Sequence, residues 1–186
     1  MMIITAVCAM SSNYVIGDNG KIPFDIPEDR RFFREYCRYK LLVVGHKTFL
    51  GLPALPETDI FVLTDNLSDK LIVNRTVKSR DAYQNVHAGN MDALKALCSE
   101  PGSFYQVVIG GGGEIFKTFI PYLTHAHLTL VQEQVDGDVK FPIKCFNELL
   151  TIKKESCSSY DDNGDMIWTK TFYKINNKDR KELVVN

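Results

Sequence analysis

Short, mostly apolar runs alternate along this chain with segments of helical pattern, and this alternation restricts the fold more than any other feature. Residues 41–44 and 104–109 are two such runs, and glycine follows each of them directly. A run that is apolar almost throughout predicts a strand buried on both faces, which is typical of parallel sheets covered by helices. Residues 2–10 and 60–64 have the same character. The sequence therefore predicts an α/β fold with a mostly parallel sheet.

Two longer strand patterns follow near the end of the chain, at residues 151–160 and 166–175. The residues between them include Asn163-Gly164, and Asn-Gly is the strongest short signal for a β-hairpin. We therefore expect an antiparallel edge on the sheet. Helices are predicted over residues 29–39, over 114–123, and after Asn90, which suits an N-cap.

Length and composition limit the classes of protein that remain. The 186 residues predict one domain over residues 1–175, with an irregular insertion at 65–85 and a polar tail at 176–186. A net charge of −1 argues against a nucleic-acid surface, and no apolar run is long enough to span a membrane. Five scattered cysteines and four histidines without ligand-like spacing predict free thiols, a cytoplasmic location and no metal site.

The first connector, residues 16–29, carries the first chemical signal. It is long and rich in glycine and proline, and it ends in Asp29 at the start of an amphipathic helix. A loop of this kind, ending in an acid beside apolar side chains, is typical of a ligand site. On local grounds alone, Asp29 could equally complement the helix dipole, a role that Glu28 could also fill.

Four consecutive glycines, Gly110 to Gly113, give the second signal. They join a buried strand to a helix, where bare backbone can approach an anionic ligand closely. The run is not a dinucleotide-binding fingerprint, because Ile115 stands where GxGxxG requires its last glycine. A tight strand-to-helix turn is the alternative explanation.

The order of these segments resembles the dihydrofolate reductase family. The similarity extends from about residue 3 to residue 173 through ITAVCAM, VIGDNGKIPFDIPEDRRFF, VVGHKTF, LPETDIFVLT, VVIGGGGEIF, LTLV and VDGDVKFP. The resemblance implies a central eight-stranded sheet and reduction of 7,8-dihydrofolate by NADPH in a monomer. It also implies a cis peptide bond between Gly111 and Gly112.

The resemblance also assigns residues to roles. Asp29 would bind the pterin ring and favour its protonation, Thr129 would hold the Asp29 carboxylate, and Ile22 and Phe24 would complete the catalytic set. The implied substrate-binding residues are Val7, Cys8, Asp29, Arg30, Phe33, Leu52, Leu55, Gly110 and Thr129. The implied cofactor-binding residues are Ala9, Ile16, Gly20, Lys21, Ile22, His46, Lys47, Thr48, Leu63, Thr64, Gly111, Gly112, Gly113, Glu114, Ile115 and Phe116.

Three positions depart from the family pattern. Phe24 stands in place of a tryptophan, which removes an indole N–H donor. Thr58 replaces an arginine that would bind the folate tail, and threonine cannot make that bidentate pair. Asp65 would repel a 2′-phosphate, whereas His46 and Lys47 would attract it, so NADPH is still expected over NADH.

Two alternatives to dihydrofolate reduction remain at this stage. The loss of the tail arginine would suit a reductase of a pterin or pyrimidine without the glutamate tail. The fold could also serve as a non-catalytic binding module, although the retention of Asp29, Gly111 and Gly112 argues against that role.

Overall fold

The computed structural model of the protein describes residues 2–66, 68, 85–149, 151–176 and 179–184. Its strands are β1 (Ile3–Ser11), β2 (Val15–Gly17), β3 (Leu41–Gly45), β4 (Asp59–Leu63), β5 (Asn85–Gly89), β6 (Gln106–Gly111), β7 (His125–Val131), β8 (Val139–Lys140), β9 (Thr151–Tyr160) and β10 (Met166–Ile175). Its helices are α1 (Pro27–Cys37), α2 (His46–Gly51), α3 (Met91–Ser99), α4 (Gly113–Phe119) and α5 (Ile143–Asn147), with a 3₁₀ turn at Ile120–Tyr122.

Eight strands form one sheet in the order β5-β4-β3-β6-β1-β7-β10-β9. The pairs from β5 to β7 are parallel, and β10 runs antiparallel to both β7 and β9. The predicted α/β class, the eight strands and the antiparallel edge are thus confirmed. From β3 the chain continues to β4, toward one edge of the sheet. It later returns to form β6 between β3 and β1. The carboxyl ends of β3 and β6 therefore lie at a topological switch point, where open α/β sheets bind ligands.

Each face of the sheet carries its own apolar cluster. Alternate residues of β1 point to opposite faces, so Ala6 joins the first cluster and Val7 the second. Helices α3, α4 and α5 cover the first cluster, whereas α1 and α2 cover the second. This arrangement explains the unbroken apolar runs, since the central strands are buried on both sides.

Helix α1 begins two residues before the predicted start at residue 29. Pro27 occupies the first turn, where its missing N–H costs no hydrogen bond. Phe32, Phe33 and Tyr36 pack against the second cluster, as expected from their helical spacing. The consequence is that Asp29 lies inside the first turn, above the sheet.

Several local predictions need correction. β6 starts at Gln106 instead of residue 104 and continues into the glycine run, and the helix predicted over residues 114–123 becomes 3₁₀ from Ile120. The strands β2 and β8 and helix α5 were not predicted, because elements of two to five residues give no periodic signal. Most of the 65–85 insertion lies outside the described residues. Within the polar tail, Leu183 is 3% exposed and packs in the first cluster.

Candidate active site

Asp29 lies against the sheet beside Thr129 of β7. The Thr129 hydroxyl donates a hydrogen bond of 2.6 Å to Asp29 Oδ1, and the side chain of Asp29 is 15% exposed. Thr129 is opposite Ala9 of β1 in the parallel register, which brings the first strand to the same place. The other oxygen, Oδ2, accepts no hydrogen bond from any described residue, so it is the atom with capacity for a ligand.

A lysine that sequence reasoning did not single out completes this group. Lys170 of β10 is opposite Thr129 in the antiparallel register, and its Nζ lies 3.0 Å from Asp29 Oδ1. Its side chain is 12% exposed. One signal could have revealed it: Lys170 alternates with Trp168 and Phe172 on a single face of the predicted strand, where a charge is unusual.

Aromatic rings form a layer beneath this ion pair. The His127 ring lies 5.0 Å from Phe32, 4.8 Å from Tyr36 and 4.6 Å from Phe172, measured between centroids. Burial, followed by the charges of Lys170 and His125, lowers the pKa of His127 to about 4. His127 is therefore neutral at pH 7 and packs as an aromatic ring.

The apolar residues predicted for substrate binding gather at the second cluster. Val7 belongs to that cluster, and Phe33 and Leu52 are partly buried against it. Leu55 is fully buried and so supports this wall from behind. Gly110 is required by packing, because a Cβ at this position would meet Leu42 Cδ1 at 2.8 Å and Phe33 Cζ at 3.4 Å. Cys8 packs in the first cluster, and burial, reinforced by the Asp29 charge, raises the pKa of its thiol.

The glycine run proves to be partly a packing requirement. Gly111 has a φ of +102°, and a Cβ there would meet the Phe116 ring at 2.9 Å, while one on Gly113 would meet Lys140 O at 3.0 Å. Only at Gly112 is there ordinary space, with Thr48 Oγ1 at 3.4 Å. The Gly111–Gly112 peptide bond is cis, as predicted. For three of these four glycines, the prediction from sequence gave too little weight to close packing against neighbouring atoms as the reason for the residue.

Two helices begin side by side at the switch point. Gly45 is the N-cap of α2 and Gly112 is the N-cap of α4, and neither start has a side-chain cap. Backbone N–H groups therefore remain available there, near the side chains of His46, Lys47 and Thr48. Phe116 is buried in the first cluster, so a ligand could reach it only through its backbone.

The remaining cofactor predictions fall on either side of these helix starts. Leu63 ends β4 and Thr64 follows it, with Thr64 N donating to Gly89 O, and Ile115 packs against Gly45. Glu114 is exposed in the first turn of α4.

The first loop folds into a small hairpin of its own. Asp18 and Lys21 exchange backbone hydrogen bonds of 2.8 and 2.9 Å around Asn19 and Gly20, whose φ values are +47° and +80°. Positive φ at both central residues is the signature of a type I′ turn, which Asn-Gly favours. Sequence reasoning missed this second Asn-Gly turn.

Ile22 follows this hairpin and is 64% exposed. Phe24 is partly buried, and Ile16 packs against the first cluster.

The structure also shows the burial and the partners of Thr58, which departs from the family pattern, and of the arginines on α1. Thr58 is fully buried and donates a 3.3 Å hydrogen bond to Pro56 O, so it faces the core and no ligand. Arg30 is exposed and pairs with Asp25 at 2.9 Å. Arg31 and Arg34 project from α1 without an ion-pair partner in the described part of the chain.

Comparison with known proteins agrees with this geometry. The family model described as dihydrofolate reductase matches residues 3–174. The chain belongs to the dihydrofolate reductase family. It is 30% identical to the dihydrofolate reductase type 6 of Proteus mirabilis, over 91% of this chain and 99% of that protein. It is 33% identical to the dihydrofolate reductase of Enterococcus faecium, over 70% and 72% of the two chains.

A solved structure extends the likeness to three dimensions. The dihydrofolate reductase of Enterococcus faecalis, complexed with NADP(H) and RAB-propyl, superposes with a TM-score of 0.74 at 26% identity, covering 94% of this chain and 97% of that one. Among the described residues, no three His, Cys, Asp or Glu side chains are grouped to hold a metal ion. No helix in the described segments is long and apolar enough to cross a membrane.

Proposed function

We infer that the protein catalyses the reduction of 7,8-dihydrofolate to 5,6,7,8-tetrahydrofolate with NADPH as hydride donor. The observation that carries this conclusion is the largely buried carboxylate of Asp29, held by Thr129 beside an apolar wall, in a chain of the dihydrofolate reductase family. The enzyme is an NADPH-dependent oxidoreductase.

Asp29 acts on the pterin ring. Its carboxylate accepts hydrogen bonds from the ring N–H and the 2-amino group, a charge-assisted pair that is strong in a partly dry site. Because Thr129 fixes Oδ1, the plane of the carboxylate is set before the substrate arrives, which reduces the entropy lost on binding. Asp29 also favours protonation of N5, directly or through one water molecule, as the adjacent carbon accepts hydride. Val7, Phe33 and Leu52 pack on the ring and exclude water.

The residues at the switch point fit NADPH. Two uncapped helix starts offer backbone N–H groups for phosphate oxygens, and Lys47 adds a positive charge. Gly112 leaves room that a larger side chain would fill, so the backbone is accessible to the nicotinamide half. NADPH supplies the hydride when bound. In this proposal, Gly20, Lys21 and Ile22 of the first loop cover it.

Recognition of the substrate tail must differ from the family pattern, because Thr58 is buried. We assign this role to Arg31 and Arg34, two exposed cations on the helix that carries Asp29 and Phe33. A reductase of a tail-less pterin is the second candidate function, and the burial of Thr58 is the observation that favours it. The two are separated by comparing kcat/KM for dihydrofolate with that for a tail-less dihydropterin. Equal values would support the second candidate.

The decisive test of the function is oxidation of NADPH by the purified protein when dihydrofolate is added. We expect turnover that depends on both compounds and stops when either is omitted. Absence of turnover, together with absence of stabilisation by NADPH in thermal unfolding, would contradict the assignment.

The same proposal covers the organisation of the protein. Residues 1–175 form the catalytic domain and residues 176–186 a tail, and the enzyme works as a monomer in the cytoplasm. Analytical ultracentrifugation across a range of concentrations tests the monomer directly. A dimer at micromolar concentration would contradict it.

A further inference from the structure

The ion pair between Lys170 and Asp29 is the feature of the site for which the reaction gives no reason. Lys170 Nζ lies 3.0 Å from Oδ1, the same oxygen that accepts the hydrogen bond from Thr129. Thr129 alone would orient the carboxylate. A second partner that carries a full positive charge changes the electrostatics of the site more than its shape.

The surroundings show that the ammonium is built into the site. Nζ lies 3.8 Å from the centroid of the Phe32 ring and 5.9 Å from that of Trp168, and the side chain is only 12% exposed. Aromatic faces stabilise a cation at such distances, and the carboxylate balances its charge. The other groups near it are neutral His127 from β7 and, across the register on β9, Cys157.

We propose that Lys170 is a specificity-determining residue that acts through Asp29, selecting a neutral pterin ring over a cationic one. The proposal rests on the proposed function. With Lys170 present, the pair of Asp29 and Lys170 has no net charge. A 4-oxopterin ring approaches as a neutral hydrogen-bond donor and meets no opposing charge. A 2,4-diaminopteridine is more basic and binds a carboxylate in its protonated form, so it meets the ammonium as a second cation.

Two ligands isolate this effect. Folate and aminopterin have the same tail and differ only at position 4 of the ring, which carries an oxo group in folate and an amino group in aminopterin. The measured quantity is the ratio of their dissociation constants, determined by calorimetry with NADPH bound. Because both ligands carry the same tail and are measured on the same variants, the change in the ratio from wild type to variant reports the charge in the site and is insensitive to a general loosening of the fold.

We expect Lys170→Met to strengthen the binding of aminopterin about tenfold relative to that of folate. The substitution removes a like charge at short range, and this magnitude allows for solvent screening. Lys170→Arg keeps the charge and should leave the ratio within about twofold of the wild type. Lys174→Met is the matched control. It removes a lysine from the same face of β10 four residues away, where the side chain is exposed, and should also leave the ratio unchanged.

A second measurement checks the position of the charge without any ligand. Lys170 is one cause of the low pKa of His127, so the pKa of His127 should rise in Lys170→Met when followed by NMR. An unchanged ratio in Lys170→Met, a shift of the same size in Lys170→Arg, or an unchanged His127 titration would each overturn the proposal. Failure of the wild type to bind either ligand would instead contradict the proposed function, and the proposal would fall with it.

Discussion

At the scale of single residues, the site depends on one carboxylate held by neighbours from distant parts of the sequence. Asp29 comes from α1, Thr129 from β7 and Lys170 from β10. The sheet register sets Thr129 opposite both Ala9 and Lys170, and the packing of α1 against the sheet brings Asp29 to them. A substitution at Asp29 therefore tests the chemistry of a group whose position is fixed by others.

Asp29→Asn is expected to lower kcat by about two to three orders of magnitude at neutral pH. The amide keeps the size of the side chain but loses the charge that, in the proposed function, binds the ring and favours its protonation. Pre-steady-state measurement of hydride transfer checks this, with NADPH affinity as the internal control, expected to stay within about twofold. Near-wild-type hydride transfer would remove Asp29 from the mechanism.

The glycine run allows a paired test of packing against ligand contact. Gly110→Ala places a Cβ 2.8 Å from Leu42 Cδ1, so we expect it to lower the free energy of unfolding by about 1–3 kcal/mol. Gly112→Ala meets Thr48 Oγ1 at 3.4 Å, an ordinary contact, and should cost under about 1 kcal/mol while raising KM for NADPH. Urea unfolding and steady-state kinetics on both variants check this. A normal KM in a stable Gly112→Ala would argue against cofactor contact there.

At the scale of elements, the first loop contains a hairpin of its own, from Asp18 to Lys21. Gly20 has a φ of +80° and open space around it, so alanine there is strained without a clash. We expect Gly20→Ala to cost about 1 kcal/mol and to raise KM for NADPH, because we propose that this loop covers the cofactor. Gly102→Ala is the control, with a φ of +81°, equally open space and a position away from the site. Equal kinetics in the two variants would contradict the role of the loop.

Elements with a strong periodic signal were predictable, and those without one were not. The two strands of the C-terminal hairpin were predicted with their bounds, and Asn90 caps α3 by accepting a 3.0 Å hydrogen bond from Ala93 N. By contrast, β2 and β8 exist only because they pair with each other, with Val15 opposite Lys140. Their formation is a tertiary event that no local pattern records. The closeness of Lys170 and Asp29, 141 residues apart in the numbering, has the same origin.

At the scale of the whole molecule, the aromatic layer under the site makes stability depend on pH. Burial is the first cause of the lowered pKa values of His127, to about 4, and of His125. An unfolded histidine binds a proton at about pH 6.5, whereas folded His127 resists protonation down to about pH 4. In that window the unfolded state holds more protons, so stability falls as the pH falls.

We therefore expect the protonation of His127 to lower the free energy of unfolding below pH 6.5 by up to about 1.4 kcal/mol per pH unit. Solvent screening reduces this slope, because the ring is partly exposed. His127→Phe keeps an aromatic ring among Phe32, Tyr36 and Phe172 and should flatten this slope. Replacement of the exposed His87 by Gln should leave this slope unchanged. Denaturant unfolding between pH 4.5 and 7.5 makes the comparison, and parallel slopes in wild type and His127→Phe would refute the assignment.

The order in which the chain leaves the ribosome has a consequence for when the enzyme can work. β10 carries Lys170 and is the last strand of the sheet, and it also separates β7 from the edge strand β9. A nascent polypeptide halted after β7 would already contain Asp29 and Thr129, yet the flank of β7 that β10 covers would be open to water. The substrate pocket therefore matures only after β10 has been synthesised and has paired with β7.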